Sequence, residues 1–286
     1  AGVVPRGVRG RARPDARRRR FALSPSVGEV TLAGLRTVAV GDPAAEHIVV
    51  LVHGFQMIPE DLAPFAQSLR VSAWFLFPEG PLWCAPGAGG AFGETPARSR
   101  AWWHIDPAAR AASMAVGPRD FADEHPPGLP IARACFGAFL DEVMALSGSR
   151  PVVVGGFSQG GMVVTDTQLR TPRRLAGMVL LSSSRIALDE WATLPDRRAL
   201  QGIPTLNTHG TDDRDLAFAA GEGLRDFYTS AGAEVTWCPF LGGHEIPLVA
   251  WRALKRFLNK THQSIRAVGA PEAYDLERTI GVHEAD

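Results

Sequence analysis

The chain has 286 residues, 45% hydrophobic and 21% charged, ordinary values for a globular protein with one substantial core. No apolar run approaches the roughly 20 residues that a membrane-spanning helix needs, so no membrane span is expected. The formal net charge is zero, yet residues 1–20 hold eight arginines and one aspartate, a +7 arm ahead of a −7 remainder. That arm, with Pro5 and Pro14 among its arginines, has almost nothing to bury and is expected to be a flexible appendage. No aromatic residues interleave with the arginines to stack on bases, so no nucleic-acid partner is expected. Cys84, Cys135 and Cys238 lie too far apart for a zinc motif or a disulfide framework. They point to a reducing, cytoplasmic setting and to no metal.

In chain order, residues 28–31 and 35–40 are expected to open the sheet as an antiparallel pair. His47-Ile48-Val49-Val50-Leu51-Val52 is nearly all apolar without alternation, as in a central strand buried on both faces. A helix follows over 59–70, with Pro59 in its first turn and Glu60 and Asp61 near the positive end of its dipole. Strand 73–77 ends at Pro78. Residues 78–127 are rich in glycine and proline and hold Trp83, Trp102 and Trp103. A long loop above the sheet is expected there, and long loops in compact domains are usually functional. A helix over 131–147 is expected to bury Ala134, Phe136, Ala138, Phe139, Val143 and Leu146. Strands at 151–157, 175–181, 203–208 and 234–238 alternate with helices to about 169, at 215–231 and at 246–259. This rhythm predicts an α/β fold, a mostly parallel doubly wound sheet with helices on both faces and no separate lid domain. Residues 21–260 make a single domain in this reading. Residues 261–286 are expected to drape over the surface, to be partly disordered or to join a dimer contact, in a monomer or homodimer.

The chemistry concentrates in three loops. Gly156-Phe157-Ser158-Gln159-Gly160 follows a buried strand and precedes a helix, the sequence of a nucleophile elbow that exposes Ser158 Oγ on a tight turn. A serine hydroxyl needs a base, and that base needs a fixed tautomer. His244, in Gly242-Gly243-His244-Glu245-Ile246, follows the last strand and reaches the carboxyl end of the sheet. Between nucleophile and base, His209-Gly210-Thr211-Asp212-Asp213 offers two candidate acids, one of which would cap the following helix. Glu234, at a strand start, and Glu245, beside the base, are weaker. Backbone amides of Gln159 and of Phe55, in the turn His53-Gly54-Phe55-Gln56, are the expected oxyanion donors. His53 is expected to brace that turn, not to act as a base.

With these residues in place, the chain resembles the phospholipase/carboxylesterase family of α/β-hydrolases, which includes acyl-protein thioesterases, over roughly 47–259. Leu51-Val52-His53-Gly54-Phe55 is similar to its oxyanion loop, Gly156 through Gly161 to its nucleophile motif, and Gly243-His244-Glu245-Ile246 to its histidine loop. His209-Gly210-Thr211-Asp212-Asp213 resembles its acid loop, which singles out Asp213. Trp102-Trp103-His104-Ile105-Asp106 resembles a signature bordering its substrate cleft. The chain departs from the family at Gln56-Met57-Ile58-Pro59, and at Arg214-Asp215 where hydrophobic residues and a proline are usual. The residues and the resemblance together point to a cofactor-free serine esterase acting on small-molecule esters; without a separate lid, short to medium acyl chains are expected, and Trp83, Trp102 and Trp103 of the long loop are the substrate-binding candidates. Thioester or lysophospholipid-like hydrolysis is the close alternative. A non-catalytic binding protein is the distant one.

Overall fold

The computed structural model describes residues 27–84, 98–194 and 197–268. The arginine arm, residues 85–97 of the long loop and residues 269–286 of the expected extension lie outside them. β1 (Val27–Leu32) and β2 (Leu35–Val40) form an antiparallel hairpin through Ala33 and Gly34, both at positive φ. β3 (Ile48–Val52), α1 (Pro59–Leu69) and β4 (Trp74–Pro78) make a parallel unit. The excursion holds a two-stranded hairpin, β5 (Leu82–Trp83) with β6 (Arg100–Ala101), and α2 (Pro107–Val116). Then come α3 (Leu129–Ser147), β7 (Val152–Phe157), α4 (Gln159–Arg170), β8 (Gly177–Leu181) and the short α5 (Leu188–Thr193). β9 (Pro204–Gly210), α6 (Phe218–Ser230), β10 (Glu234–Phe240) and α7 (Leu248–Val268) close the chain.

The eight-stranded sheet runs β1-β2-β4-β3-β7-β8-β9-β10. It is parallel from β4 to β10, and β2 is antiparallel to both its neighbours. Alternate residues of the central strands feed two cores. Val50, Val52, Val154 and Leu180 face α3, α4 and α6, while Val49, Leu51, Val153 and Val179 face α1 and α7. This period-two division is the α/β-hydrolase architecture, with helices on both faces. Chain order reverses between β3 and β7, so the loops leaving their carboxyl ends diverge and open a crevice, as in other open α/β sheets.

Four local expectations are corrected. The excursion is not a plain loop, since Asp106 caps α2 by accepting from the Ala108 and Ala109 amides. α3 buries Ala132, Phe136, Gly137, Phe139, Leu140 and Val143, whereas Ala134, Ala138 and Leu146 face out, because a helical stripe needs steps of three and four. α6 begins at Phe218 and not near 215, because the backbone there turns around the Asp213 carboxylate. α7 continues past residue 259, with Thr261 buried and its hydroxyl bonded to Phe257 O. Among the described residues, no helix is long and apolar enough to cross a membrane.

Candidate active site

The elbow rests on missing side chains. A Cβ on Gly156 would lie 2.4 Å from Gly160 C, and one on Gly160 would lie 2.3 Å from Val52 O. Without them α4 packs directly against β7 and β3, and Ser158 adopts φ 52°, ψ −120°, a strained backbone for a residue with a side chain. Its amide donates to Leu181 O at 2.9 Å, and its carbonyl accepts from the Ser183 hydroxyl at 3.0 Å. The Ser158 Oγ lies 2.9 Å from His244 Nε2, and His244 Nδ1 lies 2.7 Å from Asp213 Oδ2.

Asp213 settles its side of this line by accepting from four directions. Oδ1 takes the amides of Asp215 and Leu216 at 2.8 and 2.9 Å, while Oδ2 takes His244 and has His209 Nε2 at 3.3 Å. Burial works to raise its pKa, but the bonds from His209 and His244 and the His244 charge outweigh burial and hold it well below the ordinary carboxylate range. An ionised Asp213 keeps the proton of neutral His244 on Nδ1, leaving Nε2 bare toward Ser158. Asp212 is exposed, and its backbone amide bonds Gly242 O. The Phe157 ring packs on the His244 ring at 4.9 Å between centroids.

The cleft beside Ser158, ≈ 470 Å³ counted with its open mouth, is lined by Phe55, Gln159, His244 and the apolar side chains of Trp103, Ile105, Phe121 and Met162, among others. Gln159 opens α4, and the amides that bond Ser158 O are those of Gly161 and Met162, so the Gln159 N–H heads the helix. The Phe55 turn is held by neighbours from the excursion. Gln56 N–H donates to Arg100 O at 2.9 Å and Arg100 N–H to Met57 O at 3.1 Å. Below them, fully buried His53 accepts from the Gly80 amide on Nε2 and bonds Gly54 O through Nδ1, both at 2.8 Å. Burial pushes its pKa down to about 4, so it is a neutral brace.

The tryptophans separate. Trp103 lines the cleft. Trp102 does not: it is fully buried behind the Phe55 turn, its indole N–H donating to His53 O at 3.1 Å and its ring edge-on to Phe136. The Gln159 side chain clamps both, accepting from Trp102 N–H and donating to Trp103 O at 2.9 Å each. Trp83 also stays outside the cleft lining, 55% exposed beneath the Arg100 guanidinium, 3.5 Å from its ring centre. The substrate-wall expectation therefore holds position only for Trp103. Three further cleft residues, Arg110, Arg119 and Asp215, belong to no motif. Their only signal in the sequence is the charged Arg214-Asp215 pair where hydrophobic residues are usual. Far from the cleft, at the amino-terminal end of β3, Glu46, His47 and His262 bring potential ligand atoms within 4.8 Å of one another. The two histidines already meet Nδ1 to Nδ1 at 2.8 Å.

Sheet, elbow and loop placement define the α/β-hydrolase fold. Residues 135–262 match the phospholipase/carboxylesterase family. That match includes Ser158, Asp213 and His244 but not the Phe55 turn or the tryptophans. Acyl-protein thioesterase 1 of Neurospora crassa is 31% identical over 111 residues, 38% of this chain and 45% of the relative. A probable SOBER1-like carboxylesterase of Arabidopsis thaliana is 29% identical over 130 residues, 44% and 49% of the two chains. The chain thus spans about half the length of these curated relatives. Among solved structures, a Mesorhizobium loti carboxylesterase superimposes with TM-score 0.60 at 20% identity, covering 83% of this chain and 99% of the other. Esterase PE8 gives 0.59 at 23%, covering 84% and 100%. Both show a shared fold.

Proposed function

We propose that the chain is a serine carboxylesterase that hydrolyses short- to medium-chain carboxylic esters through an acyl-serine intermediate. The observation that carries this reading is the unbroken line from Asp213 through His244 to Ser158 Oγ at the wall of the cleft. His244 Nε2 takes the Ser158 proton as Oγ attacks the ester carbon, and the charge on the carbonyl oxygen falls to the Phe55 and Gln159 amides. The imidazolium, held by ionised Asp213, returns the proton to the leaving alcohol. Water then enters, gives its proton to His244 and releases the acid and free Ser158.

The relative in Neurospora crassa is named a thioesterase, and the same attack on a thioester would expel a thiol. Rates on matched oxygen and sulfur esters separate the two activities. The reading is tested with Ser158→Ala, expected to fold normally, to lose labelling by a fluorophosphonate and to lower turnover of p-nitrophenyl butyrate by about 10⁴-fold or more. A folded Ser158→Ala protein with near-normal turnover overturns it.

A further inference from the structure

Arg110 of α2 and Arg119, just beyond that helix, both come from the excursion and line the same cleft as Ser158 and His244. Their side chains retain only 9% and 11% of their accessible surface. Both guanidiniums pair with Asp215, two residues after the candidate catalytic acid. Backbone bonds fasten the arrangement: Arg119 N–H donates to Asp215 O at 3.0 Å, and Arg119 O accepts from Ala217 N–H at 2.8 Å. Burial works to raise the pKa of Asp215, but the charges of His244, Arg119 and Arg110 hold it below the ordinary carboxylate range. It is therefore an anion, and only one.

Along the cleft lining itself, two guanidiniums share the single carboxylate of Asp215. Asp213, the other carboxylate nearby, stands behind His244 with its oxygens already engaged. Each arginine has five N–H donors. The Nε of each is buried, with no hydrogen-bond partner among the described residues. One arginine would be enough to neutralise Asp215, and the second, though it lies over the Phe121 ring at 4.6 Å, is best completed by a further anion. Phe55, Trp103, Ile105, Phe121 and Leu216 give the same cleft an apolar side. Such a site fits a small ligand with an apolar body and one anionic end.

We propose that the cleft selects carboxylic esters carrying a second, carboxylate group a few bonds from the scissile carbonyl, with Arg110 and Arg119 holding that group. The proposal rests on the esterase reading above. The reaction is unchanged: water adds across the scissile C–O bond, the leaving alcohol takes a proton, and the second carboxylate passes through unaltered. Arg110 and Arg119 bind and orient it.

The test compares mono-p-nitrophenyl glutarate with two neutral counterparts, p-nitrophenyl hexanoate and the methyl p-nitrophenyl diester of glutarate, after subtracting spontaneous hydrolysis. A second arm puts the charge on the alcohol side, comparing O-acetyl-3-hydroxybutanoate with its methyl ester in a pH-stat. The expected result is a kcat/KM at least about tenfold higher for the anionic member of at least one arm. Free glutarate should compete, and Arg110→Gln and Arg119→Gln should each lower the anionic-to-neutral ratio about tenfold, with Arg119→Lys retaining part of it. Wild-type protein that hydrolyses neutral esters but shows no preference for the anion in either arm overturns the proposal while leaving the esterase reading intact. A preference that survives both arginine variants also overturns it. If neither kind of ester is hydrolysed and fluorophosphonate labelling fails, the esterase reading itself has failed, and the proposal with it.

Discussion

Trp102→Ala is expected to damage the protein in a way that distinguishes a structural tryptophan from a substrate wall. The ring is fully buried against Phe136 and His53, and its indole N–H is bonded to His53 O. Truncating a buried tryptophan to alanine costs about 3–5 kcal/mol through lost burial and the cavity left behind. In a chain of this size that lowers the melting temperature by roughly 10 °C. Trp102→Phe keeps most of the packing and removes the donor to His53 O, an effect of about 1–3 kcal/mol for a buried carbonyl left unpaired. Because His53 and the Phe55 amide share one turn, Trp102→Phe should lower kcat on p-nitrophenyl esters while leaving KM and the order of acyl-chain preference in place. Trp103→Ala, in the cleft lining, should alter that order. Thermal melts and kcat/KM across acetyl, butyryl and octanoyl esters measure all three variants. A Trp102→Ala protein with its melting temperature within about 2 °C of wild type and an altered chain preference would refute this assignment.

Asp213→Asn should cut kcat by about 10⁴-fold, since an amide cannot fix the His244 tautomer, whereas exposed Asp212→Asn should change it less than about tenfold; steady-state kinetics decides. His53 ties stability to pH. Its folded pKa of about 4 lies below the unfolded value near 6.5, so the unfolded chain takes up the proton first. The stabilisation is fully present above about pH 6.5 and is lost as pH falls toward 4, by about 3 kcal/mol. Urea unfolding across that range should show the loss in wild-type protein and a smaller loss in His53→Gln; equal slopes count against the buried neutral brace. Gly160→Ala should abolish turnover, because its methyl would meet Val52 O and His53 O at 2.3 and 2.6 Å. Soluble, active Gly160→Ala protein would show that the elbow relaxes.

Much of the fold was legible in the sequence because its signals are local. Runs such as Ile48–Val52 and Val152–Phe157 announce strands buried on both faces, and their alternation with helices restricts the topology to a doubly wound sheet. The motifs around Ser158, Asp213 and His244 were legible for the same reason: each occupies a loop just after a strand's carboxyl end, and a parallel sheet gathers all such ends on one side. Where local signals conflict, the reading fails. The pair Asp212-Asp213 suggests a cap for a helix starting near 215, yet the Asp213 carboxylate holds the amides of Asp215 and Leu216 in a turn, and α6 starts three residues later.

The sequence by itself determined the sheet, the order of the candidate catalytic residues and the loops that carry them, since periodicity and turn chemistry are properties of neighbours. Only the tertiary structure decided which aspartate meets His244, which tryptophan faces the cleft and which props it from behind. Adjacent residues such as Asp212 and Asp213, or Trp102 and Trp103, share composition and context and differ only in direction. It also brought Arg110 and Arg119 onto Asp215 from about a hundred residues away. No pattern along the chain encodes that pairing, because it forms only when the excursion folds back over the carboxyl end of the sheet.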